Sequence, residues 1–138
     1  MTIEIKPIIN IDDFAKIQLK VGKILEWATI EGADKLYKFT VDVGEVEKVK
    51  TEIVNEAGET IVVKTENKKL RTICSGIREF FPDGNIFLNK YVCVVANLAP
   101  RKMRGVESEG MLLFAGGDSD KLFFVTPEGE PQVGTIIR

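Results

Sequence analysis

The sequence predicts an all-β protein, a small closed barrel of short strands, and three observations carry that prediction. Apolar residues recur at every second position in run after run, which is the period of a half-buried strand. Turn residues, glycine above all, punctuate those runs at short intervals. Almost nothing reads as helix, so the sheet has to bury its apolar face against itself, and short strands do that by closing. The 138 residues are one domain's worth of chain, taken as a single unit over 1–138, and can build a core without metals or disulfides.

Taken in order, Met1 to Asn10 is mixed and contains Pro7; Asp12 and Asp13 then cap a single helical turn over Phe14, Ala15, Lys16 and Ile17. From Ile17 the period becomes two, with Ile17, Leu19, Val21, Leu25 and Trp27 on one side. Gly22 and Lys23 break the pattern, which predicts a bulge there. Glu31 to Asp34 is a turn, and Tyr37, Phe39, Val41 and Val43 alternate with Lys38, Thr40 and Asp42 as a second strand. Glu45 to Lys69 differs in character, with five lysines and six glutamates around β-branched residues and the turn Asn55-Glu56-Ala57-Gly58. It predicts an exposed hairpin whose charge keeps its edges from pairing with other chains, so solvation alone accounts for its lysines. Arg71 to Ile77 is a third strand, Phe80 to Asn85 a connection, and Tyr91 to Leu98 an almost continuous apolar run, the central strand. Met111 to Ala115, Leu122 to Val125 and Val133 to Ile137 follow, with Gly116-Gly117-Asp118 as a turn between the first two.

Composition narrows the function. The chain has no histidine, which removes Ser-His and Cys-His nucleophilic pairs and the commonest metal ligand together. The carboxylates fall mainly in turns or on the solvent side of alternating runs, where solvation explains them. Cys74 and Cys93 each sit inside an apolar run and read as small buried hydrophobes, too few to hold a metal. No apolar run approaches the roughly 20 residues of a membrane span, and the amino terminus lacks the features of a signal peptide, so a cytosolic location is expected. A net charge of -2 argues against indiscriminate polyanion binding, so any nucleic-acid affinity must be local.

One stretch supplies such a locality. Between the apolar runs ending at Leu98 and starting at Met111, three cations crowd into four positions, at Arg101, Lys102 and Arg104. Each donates to phosphate oxygens, arginine in a fork suited to two of them, and Gly105 lets a ligand approach the backbone. Asn97 and Ser108 add neutral donors for base edges or ribose hydroxyls, and Met111 adds an apolar surface for a splayed base. The same residues also read as an ordinary solvated loop, because Glu107 and Glu109 offset two of the three cations.

Asn97-Leu98-Ala99-Pro100-Arg101-Lys102-Met103-Arg104-Gly105-Val106-Glu107-Ser108-Glu109-Gly110-Met111 closely resembles the signature of a known family. This is the tRNA-binding domain found at the carboxyl end of methionyl-tRNA synthetases, in free-standing bacterial tRNA-binding proteins, and in endothelial monocyte-activating polypeptide. Further blocks fall in that family's order: Ile11 to Phe14 leading to Leu19-Lys20-Val21-Gly22-Lys23-Ile24, then Gly32 to Tyr37 with Val41 to Gly44, then Arg71-Thr72-Ile73 with Ser75-Gly76-Ile77.

The resemblance implies a five-stranded OB-fold barrel with a short N-terminal helix, an inserted hairpin at about 45–69 and extra C-terminal strands. It implies an RNA-binding groove lined by Asn97, Arg101, Lys102, Arg104, Ser108 and Met111, joined by Lys35, with Ser75 and Arg78 near it. It further implies recognition of tRNA shape more than sequence, no cofactor and no catalytic step, in a free-standing factor or in the tRNA-binding beta subunit or C-terminal domain of a methionyl-tRNA synthetase. A peptide-binding export chaperone of the same fold is the alternative, and an unrecognised enzyme a distant third. Relatives of this form are homodimers through the N-terminal segment and C-terminal strands, which suits the apolar Ile3, Ile5, Ile8 and Ile9 and the adjacent Phe123 and Phe124. The chain departs from the family at Glu45 to Lys69, where the relatives pass almost directly from Val-Gly to Arg-Thr; this insertion is expected to matter little for tRNA affinity.

Overall fold

Alternation along β1 (Leu19–Ile30), β2 (Ala33–Val54), β3 (Thr60–Ser75), β4 (Tyr91–Val95) and β7 (Met111–Leu112) builds one antiparallel sheet in the order β3-β2-β1-β4-β7. The computed structural model describes residues 5–138. The sheet curls until the segment before β7 returns to β3, where Glu109 N–H donates to the Thr72 carbonyl at 2.8 Å, and the result is the all-β barrel that the patterning predicts. Its core is Ile24, Tyr37, Phe39, Val41, Val43, Ile73, Phe87, Val92 and Val94, with Ile77 and Leu112 at the margins.

The second strand is as expected: Tyr37, Phe39, Val41 and Val43 all point inward and are buried. The first is not. Its inward residues are Gly22 and Ile24, because a Cβ on Gly22 would meet Val94 at 2.8 Å and Val41 at 3.0 Å, and Ile24 pairs with inward Val41. Val21 is buried on the opposite side, where Thr135 and Gly134 bond its backbone and β10 (Ile136–Ile137) pairs with Leu19 and Lys20. The expected bulge at Gly22-Lys23 lies instead at Leu25, between the paired positions Ile24 and Glu26, and it returns Trp27 to the inner face opposite Phe39. Alternation alone cannot distinguish a face buried by the core from one buried by a C-terminal strand far away in the chain.

The helical turn α1 (Ile11–Phe14) begins earlier than predicted, with Asn10 as its N-cap; Asn10 N–H donates to the Asp13 carboxylate at 3.3 Å. The connection after β3 contains a 3-10 turn, Gly84–Phe87, that drives Phe87 into the core. C-terminal β8 (Phe114–Gly116) and β9 (Leu122–Phe124) form a hairpin whose Phe124 stacks on Phe81 with ring centroids 5.4 Å apart. Phe123 on the other face is exposed, as alternation requires.

The 45–69 insertion is the exposed hairpin the sequence predicts. It is the continuation of β2 and β3 beyond the barrel, a ribbon paired from Glu45↔Lys69 to Val54↔Thr60. At its root β2 takes four residue steps, Val41 to Glu45, where β3 takes two, Lys69 to Arg71. Gly44 (φ +78°) makes that irregularity, and a Cβ there would strike the Val133 carbonyl oxygen at 2.7 Å. Asp42, 4% exposed, accepts from Gly44 N–H at 2.9 Å. Beside it Arg71 donates to both Glu45 carboxylate oxygens, at 2.6 and 3.0 Å, and to the carbonyls of Ala96 and Glu109. One guanidinium thus ties the ribbon root to the ends of two other segments of the barrel.

Candidate nucleic-acid interface

The predicted basic loop is a β-hairpin. β5 (Arg101–Met103) pairs with β6 (Val106–Ser108) in the register Arg101↔Ser108, Lys102↔Glu107 and Met103↔Val106. Its two-residue turn is Arg104-Gly105, both at positive φ (+49° and +82°), the geometry that matches the twist of a tight hairpin. Gly105 adopts it freely, whereas a non-glycine residue pays a conformational cost there. Arg104 is consequently held at the exposed tip of a strained turn.

Alternation across this hairpin divides its cations. Arg101 and Met103 face a groove of about 610 Å³ that runs between the hairpin, the Leu98-Ala99 segment, Met111 and the end of β3 at Cys74 to Gly76. Lys102 takes the other face of the hairpin, opposite Glu107. The groove wall is mainly apolar, with Leu98 and Met111 about half exposed, and Arg101 is its cation. At the hairpin tip Arg104 shares a second recess, of about 190 Å³, with Lys35 and the rest of the Gly32 to Leu36 turn. Arg78 is bound to that turn: its N–H donates to the Lys35 carbonyl at 3.2 Å and its guanidinium to the Ala33 carbonyl at 3.4 Å.

Ser75, Arg101 and Met111 thus line the groove, while Lys35 and Arg104 line the separate recess at the hairpin tip. Two of the neutral residues have different duties. Ser108 is 4% exposed; its hydroxyl accepts from Cys74 N–H at 2.9 Å and donates to the Gly110 carbonyl at 3.3 Å. It joins the hairpin to β3 beneath the groove, and no donor of its hydroxyl is left for a ligand. Asn97 is exposed, but its amide is engaged at both ends, accepting from Gln18 N–H at 2.8 Å and donating to the Lys16 carbonyl at 2.6 Å. It fixes the segment after α1 against the start of the groove. Sequence reasoning missed Glu109, whose carboxylate accepts from Thr72 N–H at 3.1 Å; it builds the barrel seam and does not simply offset the cations. Only the seam's tertiary pairing makes that visible.

Burial pushes the thiols of both Cys74 and Cys93 up from the ordinary cysteine range, so each is protonated at neutral pH. Arg101, Arg104 and Lys35 take part in no ion pair among the described residues, which leaves their charge to the solvent side of the groove.

Comparison with known proteins places this geometry. The family model described as "Putative tRNA binding domain" matches residues 59–136. A methionine–tRNA ligase of Pyrococcus horikoshii is 37% identical over 130 residues, 94% of this chain and 14% of the ligase. This chain therefore spans about one seventh of the length of that relative. Among solved structures, a methionyl-tRNA-synthetase-related protein from Pyrococcus horikoshii superposes with a TM-score of 0.73 at 29% identity, covering 96% of this chain and 100% of the other. The chaperone CsaA from Bacillus anthracis superposes with a TM-score of 0.70 over 96% of this chain and 100% of the other, at 17% identity, a likeness of fold alone.

Proposed function

The chain belongs to the tRNA-binding domain family, whose model matches more than half of it, and from that premise we propose that it binds tRNA in the groove beside the Arg101–Ser108 hairpin. The observation that supports this most directly is that one hairpin borders two recesses: an apolar groove holding Arg101, and a tip recess lined by Arg104 and Lys35 with Asp34. Apolar walls suit unstacked bases, and cations along the rim suit the backbone that carries them. Arg101, Arg104 and Lys35 contact phosphate, Met111 supports a base, and Ser75 borders the ligand. Lys102 and Arg78 flank the site. Asn97 and Ser108 position it.

Binding of this kind reads shape and backbone and is largely independent of sequence, because the cations outnumber the free neutral donors. The domain acts as a free-standing factor or as the tRNA-binding beta subunit or C-terminal domain of a methionyl-tRNA synthetase, in the cytoplasm, as one unit over 1–138 and with no chemistry of its own. A second function, peptide binding of the chaperone kind, is favoured by one observation, the apolar lining of the groove.

Filter-binding titrations with total tRNA, single-stranded DNA and an unfolded peptide across salt separate the two. Three groove cations on phosphate contribute a log-log salt slope of roughly -2 to -3. Arg101→Glu with Arg104→Glu is expected to weaken tRNA binding by about tenfold or more while changing stability by only about 0.5 kcal/mol. Peptide binding equal to or stronger than tRNA binding, with no salt effect on tRNA, would overturn the assignment.

A further inference from the structure

The ribbon beyond the barrel has two unlike faces. Cross-strand partners in an antiparallel pair share a face, and the face alternates along each strand. One face near the tip therefore carries Val49 and Thr65, Thr51 and Val63, and Ile53 and Ile61, six residues without a charge. The other carries Lys48, Lys50, Lys64 and Lys68, with Val46 opposite Lys68, Glu66 opposite Lys48, Glu52 opposite Val62 and Val54 opposite Thr60. If these lysines served solubility alone, both faces of an arm reaching into solvent would need them. Four of the insertion's five lysines lie on one face, and Lys69 on the other sits at the root, opposite Glu45.

Within the charged face, Lys50 and Lys64 lie directly opposite one another. Like charges in that relation destabilise a ribbon; Glu52 and Glu66, the next carboxylates on the same face, offset the pair in part, but neither is within ion-pair distance of it. Among the described residues only Lys68 of the four is in an ion pair, with Asp42 at 3.4 Å; Lys48, Lys50 and Lys64 are in none. The face also has a direction. On β3, Lys64, Lys68, Thr72 and Cys74 fall at even positions, and Cys74 lines the groove while Lys38 sits opposite it on β2. At its base the lysine face is thus the continuation of the strand surface that holds the groove. From Cys74 it runs about 20 Å to Lys68 and about 33 Å to Lys64 at the strand rise of roughly 3.3 Å per residue.

Resting on tRNA binding at the groove, we propose that the β2–β3 ribbon is a second RNA-contacting arm, whose Lys48, Lys50 and Lys64 hold the phosphate backbone of a tRNA at a distance from the groove. This reverses the expectation from sequence that the insertion is dispensable. A point-charge ammonium on a long stem suits a backbone whose sequence is not read, and an arm of this length engages only a ligand large enough to span both places.

The test is the full chain carrying Lys48→Gln, Lys50→Gln and Lys64→Gln, titrated across salt with total tRNA and with a five-nucleotide single-stranded RNA. Circular dichroism melting verifies that the fold persists. The wild-type chain is expected to show a tRNA slope of about -4 to -5 and a short-RNA slope of roughly -2 to -3. The variant is expected to lose about tenfold or more in tRNA affinity at 0.15 M salt, with a slope shallower by about 2 to 3, and to bind the short RNA as the wild type does. An unchanged tRNA affinity and slope overturns the arm, as does an equal loss for both ligands, which marks a mere change of net charge. Failure of the groove is a separate result: the wild-type chain then binds neither RNA, or Arg101→Glu with Arg104→Glu leaves both affinities intact.

Discussion

At the scale of the residue, the hairpin tip sets function against conformation. Arg104 occupies a left-handed backbone position (φ +49°) that asparagine or glycine fills at less cost. It is exposed, borders the same recess as Lys35, and is in no ion pair among the described residues. Arg104→Asn is therefore expected to raise stability by about 1 kcal/mol, measured as a higher denaturation midpoint at unchanged slope, while tRNA affinity falls. A variant that loses stability would show that the arginine side chain holds the hairpin. Ser108 is the contrary case, a polar residue of the same hairpin wholly committed to structure. Residue type in the sequence makes both look like ligand contacts. Burial separates them.

At the scale of the element, the ribbon depends on its root. Arg71 and Glu45 are bonded through two oxygens, with side chains 15% and 26% exposed, and Arg71 also reaches two carbonyls of other segments. The hydrogen bond from Arg71 holds the Glu45 carboxyl below the ordinary carboxylate value of 4.5, against a smaller opposing effect of burial. A lowered folded-state value means the pair's stabilisation is fully present above the ordinary value and is lost as pH falls through the lowered one. The wild-type chain is expected to lose more stability on acidification below about pH 4.5 than Glu45→Gln does, read from urea unfolding at pH 7 and pH 3. Equal losses would mean that the pair adds nothing. Truncation by Arg71→Ala is expected to cost about 3 kcal/mol at pH 7, since it strands a partly buried carboxylate and two carbonyls.

At the scale of the whole molecule, several large apolar side chains are exposed among the described residues. Ile5 is 90% exposed, Ile8 100%, and Phe123 60%, with Ile9, Ile11 and Ile136 also exposed. Ile3, part of the same expectation, lies outside the described residues. Exposed apolar residues in this number would be buried on both sides at once by a symmetric second copy. A homodimer is expected in size-exclusion light scattering at micromolar concentration, with Ile8→Asp and Phe123→Asp together giving the mass of one chain. A wild-type mass of one chain, 15.4 kDa, would refute it.

Much of this protein was legible before folding. The inward set Tyr37, Phe39, Val41 and Val43 follows from period two, because a strand with one face in a core must alternate. The cations of the hairpin follow from their crowding, and the family from the fifteen residues around them. Four things required tertiary structure. The burial of Val21 by a distant strand reversed the face of β1, and the pairing of Cys74 with Ser108 took a polar residue out of the ligand surface. The register from Glu45↔Lys69 to Val54↔Thr60 sorted nine mixed charges and their neighbours into one face that is uncharged near the tip and another that carries four lysines. The turn at Arg104-Gly105 divided three adjacent cations between the two sides of a hairpin. In every case the sequence determined which groups the chain carries and their local period. Which side of a strand meets core, solvent or ligand was decided by residues far away in the chain, since burial belongs to the assembled sheet and not to any one strand.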